Sequence, residues 1–389
     1  MNLENLGLSS KNLQPIRIRQ LDINTSNQIA AGEVIERPSS ALKELIENSI
    51  DAGASKISIS LSEGGKTLIE VIDDGMGMNL QDLKMCLERH ATSKINDGDL
   101  VHINSLGFRG EALPSIGSIA NLAIESYDKL KDEAWKISII NNKKNIEPSL
   151  IRFGTKVTIT DLFLKVPARL KFMKTNATEI RYCKEVVKHL AMSHPKISFS
   201  LTIDSKRIFN WEKSEKADFE GTKNRLYQVM GEDFIKSSVS VHMERDGLIL
   251  AGMVGMPTLN RNTGREQYLF VNNRPVKDRN LIGALRGAYK GLIENNRFPV
   301  AVLFIDIIPQ DVDINVHPAK AEVRFKDSAK VRSIIVSGVR KSLESAGLNT
   351  ATEISNALID KMSFSTKSIN EISYDSNNLD LNNINISPS

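Results

Sequence analysis

Cysteine is almost absent: the 389 residues hold two, Cys86 and Cys183, far apart in the chain. No CxxC pair or Cys/His cluster exists, which argues against a structural zinc site. The six histidines are scattered, and none forms HExxH or another metal-binding spacing. No apolar run approaches the ~18 residues that a membrane helix needs. The N-terminus lacks the apolar stretch of a signal peptide. These absences predict a reducing, cytoplasmic, soluble protein with no membrane partner. No internal repeat is present. The single Gly65-Lys66-Thr67 resembles the end of a phosphate-binding P-loop, but the first glycine of G-x-x-x-x-G-K-[ST] is missing, because Ser60 occupies its place. The segment also lies between two strand patterns rather than before a helix. Any nucleotide must therefore be bound in another way.

What is present is enough apolar material for sizeable cores, 41% of residues, in a chain long enough for two or three domains. The net charge of +4 says little by itself. Its distribution says more. Residues 341–389 carry three lysines and six acids, which leaves 48 basic against 41 acidic residues in 1–340. A basic body with an acidic tail keeps nucleic acid open as a partner.

Along the chain, residues 1–15 read as a flexible polar extension. Residues 16–220 mix helix and strand patterns, so the fold class is α+β. Ile57, Ile59 and Leu61 alternate with polar residues, Glu63-Gly64-Gly65 makes a turn, and Thr67 to Ile72 reads as the returning strand of an antiparallel hairpin. Further strands are expected near 121–127, 135–140, 155–160 and 197–203, and a helix near 176–192 that stops at His194-Pro195. A second unit, 221–346, is expected to hold strands near 247–254, 266–271 and 300–307, with helices near 278–291 and 328–346. In 341–389, 18 of 49 residues are Asn or Ser, and residues 347–389 read as a disordered linker or tail.

The most informative stretch runs from Ala41 to Asp51. As a helix it sets Glu44, Glu47, Asn48 and Asp51 at i, i+3, i+4 and i+7 on one face, with Leu42, Leu45, Ile46 and Ile50 opposite. A carboxylate there can take a proton from water, and an amide oxygen is a hard ligand suited to Mg²⁺. An acidic helix face is by itself more often simply solvated. Asp73-Asp74-Gly75-Met76-Gly77-Met78 follows a strand end. Its acid suits an exocyclic amine such as adenine N6, and its glycines allow close approach to a flat ring, although alone it is an ordinary Asp-Gly turn. Next come Thr92, Ser93 and Lys94, then Gly107 and Gly110 at a helix start, an arrangement that binds phosphate oxygens. Residues 95–105 between them suit a lid. Phe153-Gly154-Thr155 is a weaker element, usually a turn into a strand.

In order, Glu44 to Asp51, Asp73 to Gly77, Leu106 to Glu111 and Gly154-Thr155 resemble the four motif blocks of the GHKL ATPase superfamily. Residues 28–38, Ala91 to Ile95, Gly107 to Leu113, Pro167-Ala168-Arg169 and Asn315 to Lys320 resemble, more narrowly, the MutL family of DNA mismatch-repair proteins. The likeness covers roughly 17–346. It implies a GHKL (Bergerat) ATPase α/β sandwich followed by a smaller βαβ, topoisomerase-like second domain. It implies Glu44 as general base, Asn48 as Mg²⁺ ligand and Asp73 at adenine N6 with Thr155 nearby. Gly75 and Gly77 would floor the base pocket. Thr92, Ser93, Lys94 and the backbone of Gly107, Phe108, Arg109 and Gly110 would hold the phosphates of ATP. Lys320 would reach the γ-phosphate from the second domain. Glu47 and Asp51 would be supporting or structural. Two positions depart from the family pattern: Asp74 stands where Asn is usual, adding a negative charge near the nucleotide, and Lys165-Val166 precedes Pro167 where Asn-Thr is usual.

Arg274, Lys277, Arg279 and Arg286 belong to a basic stretch of the second unit. Residues 279 and 286 share a helix face, which without the resemblance is as readily a solvated basic helix. With it, a sequence-independent contact to the DNA backbone is expected. The resemblance further implies an ATP-dependent dimeric clamp, a mismatch-recognition partner of the MutS type, a downstream nuclease or helicase, a bacterial cytoplasmic, nucleoid-associated location, and no endonuclease motif within these residues. Another GHKL enzyme, of topoisomerase or chaperone type, and a non-catalytic DNA-binding scaffold are the rival readings.

Overall fold

In the computed structural model the described residues are 19–94, 106–107, 110–141, 143–216, 219–313 and 323–367, with backbone alone for 23–24 and 348–367. The expected extension at 1–15 and the lid at 95–105 lie outside them.

Eight strands build the larger sheet: β1 (Lys56–Ser62), β2 (Leu68–Asp73), β3 (Asn121–Asp128), β4 (Glu133–Ile140), β5 (Lys143–Pro148), β6 (Thr155–Thr160), β7 (Ser198–Ile203) and β8 (Lys206–Trp211), in the spatial order β5-β4-β3-β6-β2-β1-β7-β8. The β1–β2 hairpin turns through Glu63–Gly65 as expected, while β1 pairs parallel with β7 on its other edge. Antiparallel pairing of β2 and of β3 with β6 sets both Asp73 and Ser126 opposite Thr155. One face of the sheet is apolar, with Ile57, Ile59, Leu61, Ile69 and Val71 buried. On the other, Lys156 Nζ lies 3.4 Å from Glu70 and 3.6 Å from Glu125. Alternation along the strands thus makes a two-layer sandwich, helices on one side and solvent on the other.

The helical layer consists of α1 (Ile23–Val34), α2 (Pro38–Asp51), α3 (Leu80–Met85), α4 (Ala112–Ile119), α5 (Pro167–Leu170) and α6 (Asn176–Ser193). Asp22 caps α1 by accepting the Thr25 amide at 3.0 Å. α2 starts on Pro38, which has no amide to leave orphaned. Its Ala41, Leu42, Leu45 and Ile46 are buried in the core with the apolar residues of β1 and β2. α6 stops at His194, before Pro195, as its sequence predicts.

Beyond it lie α7 (Phe219–Met230) and α8 (Glu232–Lys236), then β9 (Ser238–Arg245), β10 (Leu248–Gly255), β11 (Asn260–Arg261), β12 (Gln267–Val271), β13 (Arg274–Val276), α9 (Arg279–Ala288), β14 (Phe298–Pro299), β15 (Ala301–Asp306), β16 (Val312–Asp313), β17 (Arg324–Phe325) and α10 (Ser328–Lys367). The second sheet runs β13-β12-β15-β10-β9, with β12 and β15 parallel and α9 between them in the chain, the βαβ unit that the resemblance implies. β11 pairs with β14 and β16 with β17. One core joins this sheet to α9 and α10 through Leu281, Leu285, Ile334, Ile335 and Val339. A separate cluster joins its other face to α6, α7 and α8 through Met192, Leu226, Phe234, Met253, Phe270 and Val302. The sheet is therefore covered on both faces, which is why β12 and β15 read as continuous apolar runs. Arg225 of α7 is 1% exposed and its Nη2 donates to the carbonyls of Pro195, Ile197 and Glu212. Burial lowers its pKa to about 10, with Glu212 acting in the opposite sense. Tyr268 of β12 donates its hydroxyl to Glu185 of α6 at 3.2 Å.

Two expectations change. α10 continues to Lys367, past residue 347 where a disordered linker was expected to begin; the rest of that segment lies outside the described residues. β5, β8 and β9 have no counterpart in the sequence reading. They are edge strands with few buried positions, and Val241 is the one buried residue of β9.

Candidate functional site

The site grows from the polar side of α2 where it crosses the end of β2. Ser49 and Asn48 are neighbours in sequence, and their side chains reach two different sets of partners.

The first set surrounds Asp73, the last residue of β2, which is 4% exposed. Ser49 Oγ donates to its Oδ2 at 2.8 Å, and the amides of Gly75 and Thr155 donate to Oδ1 at 2.9 and 3.3 Å. A carboxylate offers about four acceptor sites, so capacity remains on Oδ2 for one more donor. Ser126 Oγ accepts the Met78 amide at 2.8 Å and lies 2.9 Å from Thr155 Oγ1. Gly77 (φ +72°) and Gly154 (φ +55°) are required here: a Cβ would come within 2.0 Å of the Tyr127 and Asp73 carbonyl oxygens respectively. At Gly75 a Cβ would meet Ala52 at 2.9 Å. The result is a corner where glycine backbone closes around a buried acid. Burial pushes the Asp73 carboxyl above its usual range, opposed by the bonds from Ser49, Gly75 and Thr155, with the Asp74 charge adding to the rise.

Asp74 adds a negative charge beside this corner, as the departure from the family pattern suggested, but the charge is held by hydrogen bonds. Its carboxylate turns to the start of β1 and accepts the amides of Ser55 and Lys56 at 2.7 and 2.8 Å and the Ser55 hydroxyl at 2.6 Å. Partial burial disfavours its charged form, but these hydrogen bonds outweigh burial and hold the carboxyl below its usual value.

The second set lies along α2 toward its C-terminus. Lys94 Nζ donates to Asn48 Oδ1 at 2.8 Å and to Asp51 Oδ2 at 2.6 Å. Asp51 also accepts the amides of Leu106 and Gly107 at 2.9 and 3.1 Å. Gly110 (φ +62°) presses on residue 91, where a Cβ would meet the Ala91 carbonyl oxygen at 2.3 Å. Glu111 lies 2.9 Å from His90 Nδ1 and 3.6 Å from Arg89. Residues 89–94 are thereby held to 106–107 and 110–111 beside α2. Thr92 Oγ1 accepts the Lys94 amide at 3.1 Å, while Ser93 is exposed. Glu44 sits one turn before Asn48 on the same side of α2, half-buried. Glu47 is 5% exposed and pairs with Lys43 at 3.6 Å.

Thus Glu44, Asn48, Asp73, Gly75, Gly77, Thr92, Lys94, Gly107, Gly110 and Thr155 all fall along one side of α2 or on the segments against it. Phe108, Arg109 and Lys320 lie outside the described residues. Ser49 and Ser126, which carry no motif signal, join these contacts, and Asp51, expected to be supporting or structural, holds Lys94 and the 106–107 amides. The basic group divides. Lys277, Arg279 and Arg286 are exposed, Arg286 stacking 4.9 Å above Phe298. Arg274 is set apart from that face: it is half-buried and its Nη1 donates to the Leu106 carbonyl at 3.4 Å.

Among the described residues no helix is long and apolar enough to cross a membrane, and no cluster of three or more His, Cys, Asp or Glu could hold a metal ion.

Residues 35–157, which contain most of this site, match the family profile "Histidine kinase-, DNA gyrase B-, and HSP90-like ATPase". The fold and site therefore define a GHKL-type ATPase region. Residues 226–344 match "DNA mismatch repair protein, C-terminal domain". The chain is 47% identical over 343 residues to the DNA mismatch repair protein MutL of Paramagnetospirillum magneticum, covering 88% of this chain and 56% of that protein. It is 44% identical over 362 residues to the MutL of Rickettsia conorii, covering 91% and 59%. Its fold is similar to the solved N-terminal domain of a DNA repair protein (TM-score 0.69, 24% identity, 83% of this chain and 98% of that one). It is also similar to the Aquifex aeolicus MutL ATPase domain complexed with ADP (TM-score 0.55, 26% identity, 78% and 98%). The chain belongs to the MutL family of DNA mismatch-repair proteins. It spans little more than half the length of the curated relatives it matches.

The raised pKa of Asp73 has a consequence for stability. An acid whose folded pKa lies above its unfolded value stabilises the fold below the unfolded value, and that contribution is lost as pH rises through the folded one. Ionisation of Asp73 as pH rises therefore removes stability from the empty fold relative to the protonated acid. Asp73→Asn, which keeps an acceptor for the Gly75 and Thr155 amides, should raise the thermal midpoint of nucleotide-free protein at pH 7, and the gain should vanish on acidification. A lower midpoint for the variant at pH 7 would contradict this account.

Proposed function

We propose that this chain binds and hydrolyses ATP and uses the nucleotide to switch a DNA mismatch-repair clamp. The observation that carries the reading is the position of α2: Ser49 touches the buried acid Asp73, and the adjacent Asn48 touches the lysine of the glycine-bounded segment. One helix thus joins the corner at Asp73 to an amide-rich site that already holds an anion.

In this reading Asp73 accepts the adenine N6–H on its remaining Oδ2 site, with Thr155 and Ser126 behind it and Gly75 and Gly77 beneath the ring. Lys94, Thr92, Ser93 and the backbone of 107–110, including Phe108 and Arg109, take the phosphates. The amides of Leu106 and Gly107 and the Lys94 ammonium already converge on an anion, the Asp51 carboxylate, so this corner accommodates negative charge. Asn48 fits Mg²⁺: its amide oxygen is a hard donor held at the phosphate end. A magnesium ion bound mainly through substrate phosphates needs only one or two protein oxygens. When bound it would neutralise charge on the phosphates. In this reading Glu44, one turn away on the same helix, orients and deprotonates the attacking water, and Lys320 is assigned to the γ-phosphate. In phosphoryl transfer such positioning and charge neutralisation supply most of the catalysis.

The same reading assigns the wider activity. ATP binding closes two copies into a clamp, and hydrolysis resets it. Lys277, Arg279 and Arg286, all exposed, contact the DNA backbone without regard to sequence. A MutS-type mismatch-recognition protein and a downstream nuclease or helicase are the partners that the family membership supports, acting in the bacterial cytoplasm.

Three measurements test it. Glu44→Ala should retain ATP binding and lose hydrolysis by ~10²–10⁴-fold, the usual contribution of a general base; wild-type turnover would remove Glu44 from that role. In size-exclusion chromatography a non-hydrolysable ATP analogue should shift the wild-type chain from monomer to dimer, and a monomer at every concentration tried would defeat the clamp. Charge reversal at Arg279 and Arg286 together should weaken binding to all duplex sequences alike. It should also flatten the log–log salt dependence by about 0.9 for each DNA phosphate no longer neutralised. Basal ATPase should stay close to wild type. Unaltered DNA affinity would place the DNA-binding face elsewhere.

A further inference from the structure

We propose that Arg274 is a positioning residue for ATP binding, through which the second sheet holds the phosphate-binding backbone at 106–107. The inference rests on the reading of that backbone as part of the nucleotide site. Arg274 begins β13, the edge strand of the second sheet, and its guanidinium crosses to the other unit to meet the Leu106 carbonyl at 3.4 Å. The Leu106 amide is held from the opposite side by Asp51 Oδ1 at 2.9 Å. Residue 106 is therefore gripped at both of its backbone polar groups, by a cation from one unit and an anion from the other. The next amide, Gly107, faces the same carboxylate, and that carboxylate shares Lys94 with Asn48. A continuous polar path runs from the edge of the second sheet to the side chain assigned to Mg²⁺.

The chemistry favours arginine for this task. Burial disfavours the charge of Arg274, and the carboxylates of Glu47 and Asp51 act against that effect. A guanidinium stays protonated under such burial where an ammonium titrates more readily, and its planar fork can serve a carbonyl and a carboxylate together. The proposed consequence is mechanical. When phosphate oxygens compete with Asp51 for the 106–107 amides, the Leu106 carbonyl needs a second anchor if the peptide is to keep its orientation. Arg274 supplies that anchor, and does so only when the second sheet is docked. Nucleotide affinity then depends on where the second unit sits, and by linkage nucleotide binding favours the docked position.

The role differs from a DNA contact in what it changes. Arg274→Ala in the full chain should raise KM for ATP about tenfold, the order expected for losing a charged hydrogen bond. It should leave kcat within about threefold and nucleotide-free DNA affinity within about twofold. Combined with Asp51→Asn, its effect on KM should be less than multiplicative, because both side chains hold the same peptide. Arg274→Lys, which keeps charge but not the fork, should give an intermediate KM, and it decides the question if the alanine variant does not fold. An unchanged KM in the folded variants, or a loss of DNA affinity at normal KM, would overturn the proposal. Lys94→Ala separates the two layers of the argument. If it weakens ATP binding and the Arg274 variants do not, only this inference fails. If neither affects binding, the phosphate site itself has been misplaced.

Discussion

The burial of one stripe of α2 against the larger sheet is the constraint from which the site follows. Leu42, Leu45 and Ile46 are at most 2% exposed and sit in the core with Ile57, Ile59, Ile69 and Val71. An α-helix fixed by that face has no rotational freedom left, since a turn of one residue moves every side chain by about 100°. Ser49 is then held at Asp73 and Asn48 at Lys94, whatever else the chain does. The polar residues do not build this geometry. They occupy positions that hydrophobic packing has already assigned. In return the arrangement leaves a carboxyl in the interior with a raised pKa and two glycines at positive φ against carbonyl oxygens, costs that the apolar core must offset.

Much of this was legible in the chain because it depends on local period. The α2 face, the β1–β2 hairpin, the end of α6 before Pro195 and the start of α9 after Asp278 each rest on a pattern of fewer than twenty residues. In the structure the Asp278 carboxylate accepts the amides of Asn280 and Leu281, which fixes the start of the helix expected near 278–291. What was not legible is what needs strand register. Ser126 carries no local mark, since an isolated serine in an alternating strand reads as a surface position. It is buried and bound to the site only because β3 and β2 flank β6 in a register that sets Ser126 and Asp73 opposite Thr155. The edge strands were invisible for the reverse reason. Lys143–Pro148 of β5 packs only Ile146, partly buried, against the core, so it has no amphipathic period to read.

Charge shows the same division. Seven basic residues between 261 and 290 look like one surface patch in sequence, because sequence records proximity along the chain and not direction. In the structure Arg261 pairs with Glu266 at 2.9 Å, Arg279 and Arg286 point outward from α9, and Arg274 points back across the junction to Leu106. Asp74 makes the point with a single residue. As a sequence departure it adds charge beside a nucleotide, yet its carboxylate is consumed by the first amides of β1.

The junction between the two sheets explains why a switch can be built on this fold without a large rearrangement. Its apolar part, Met192, Leu226, Phe270 and Val302 among others, is close-packed and cannot deform continuously. Arg225 adds donors to three carbonyls close to the end of α6. The polar part is where Arg274, Asp51, Lys94 and the 106–107 amides meet. Under the proposed function a phosphate would replace the Asp51 carboxylate there at small cost in geometry, because the two present similar acceptors to the same N–H groups. On the proposed function, a packed junction beside such an anion site would let a ligand of the first unit bias the position of the second. The size of the bias is limited by the difference in affinity between the two positions.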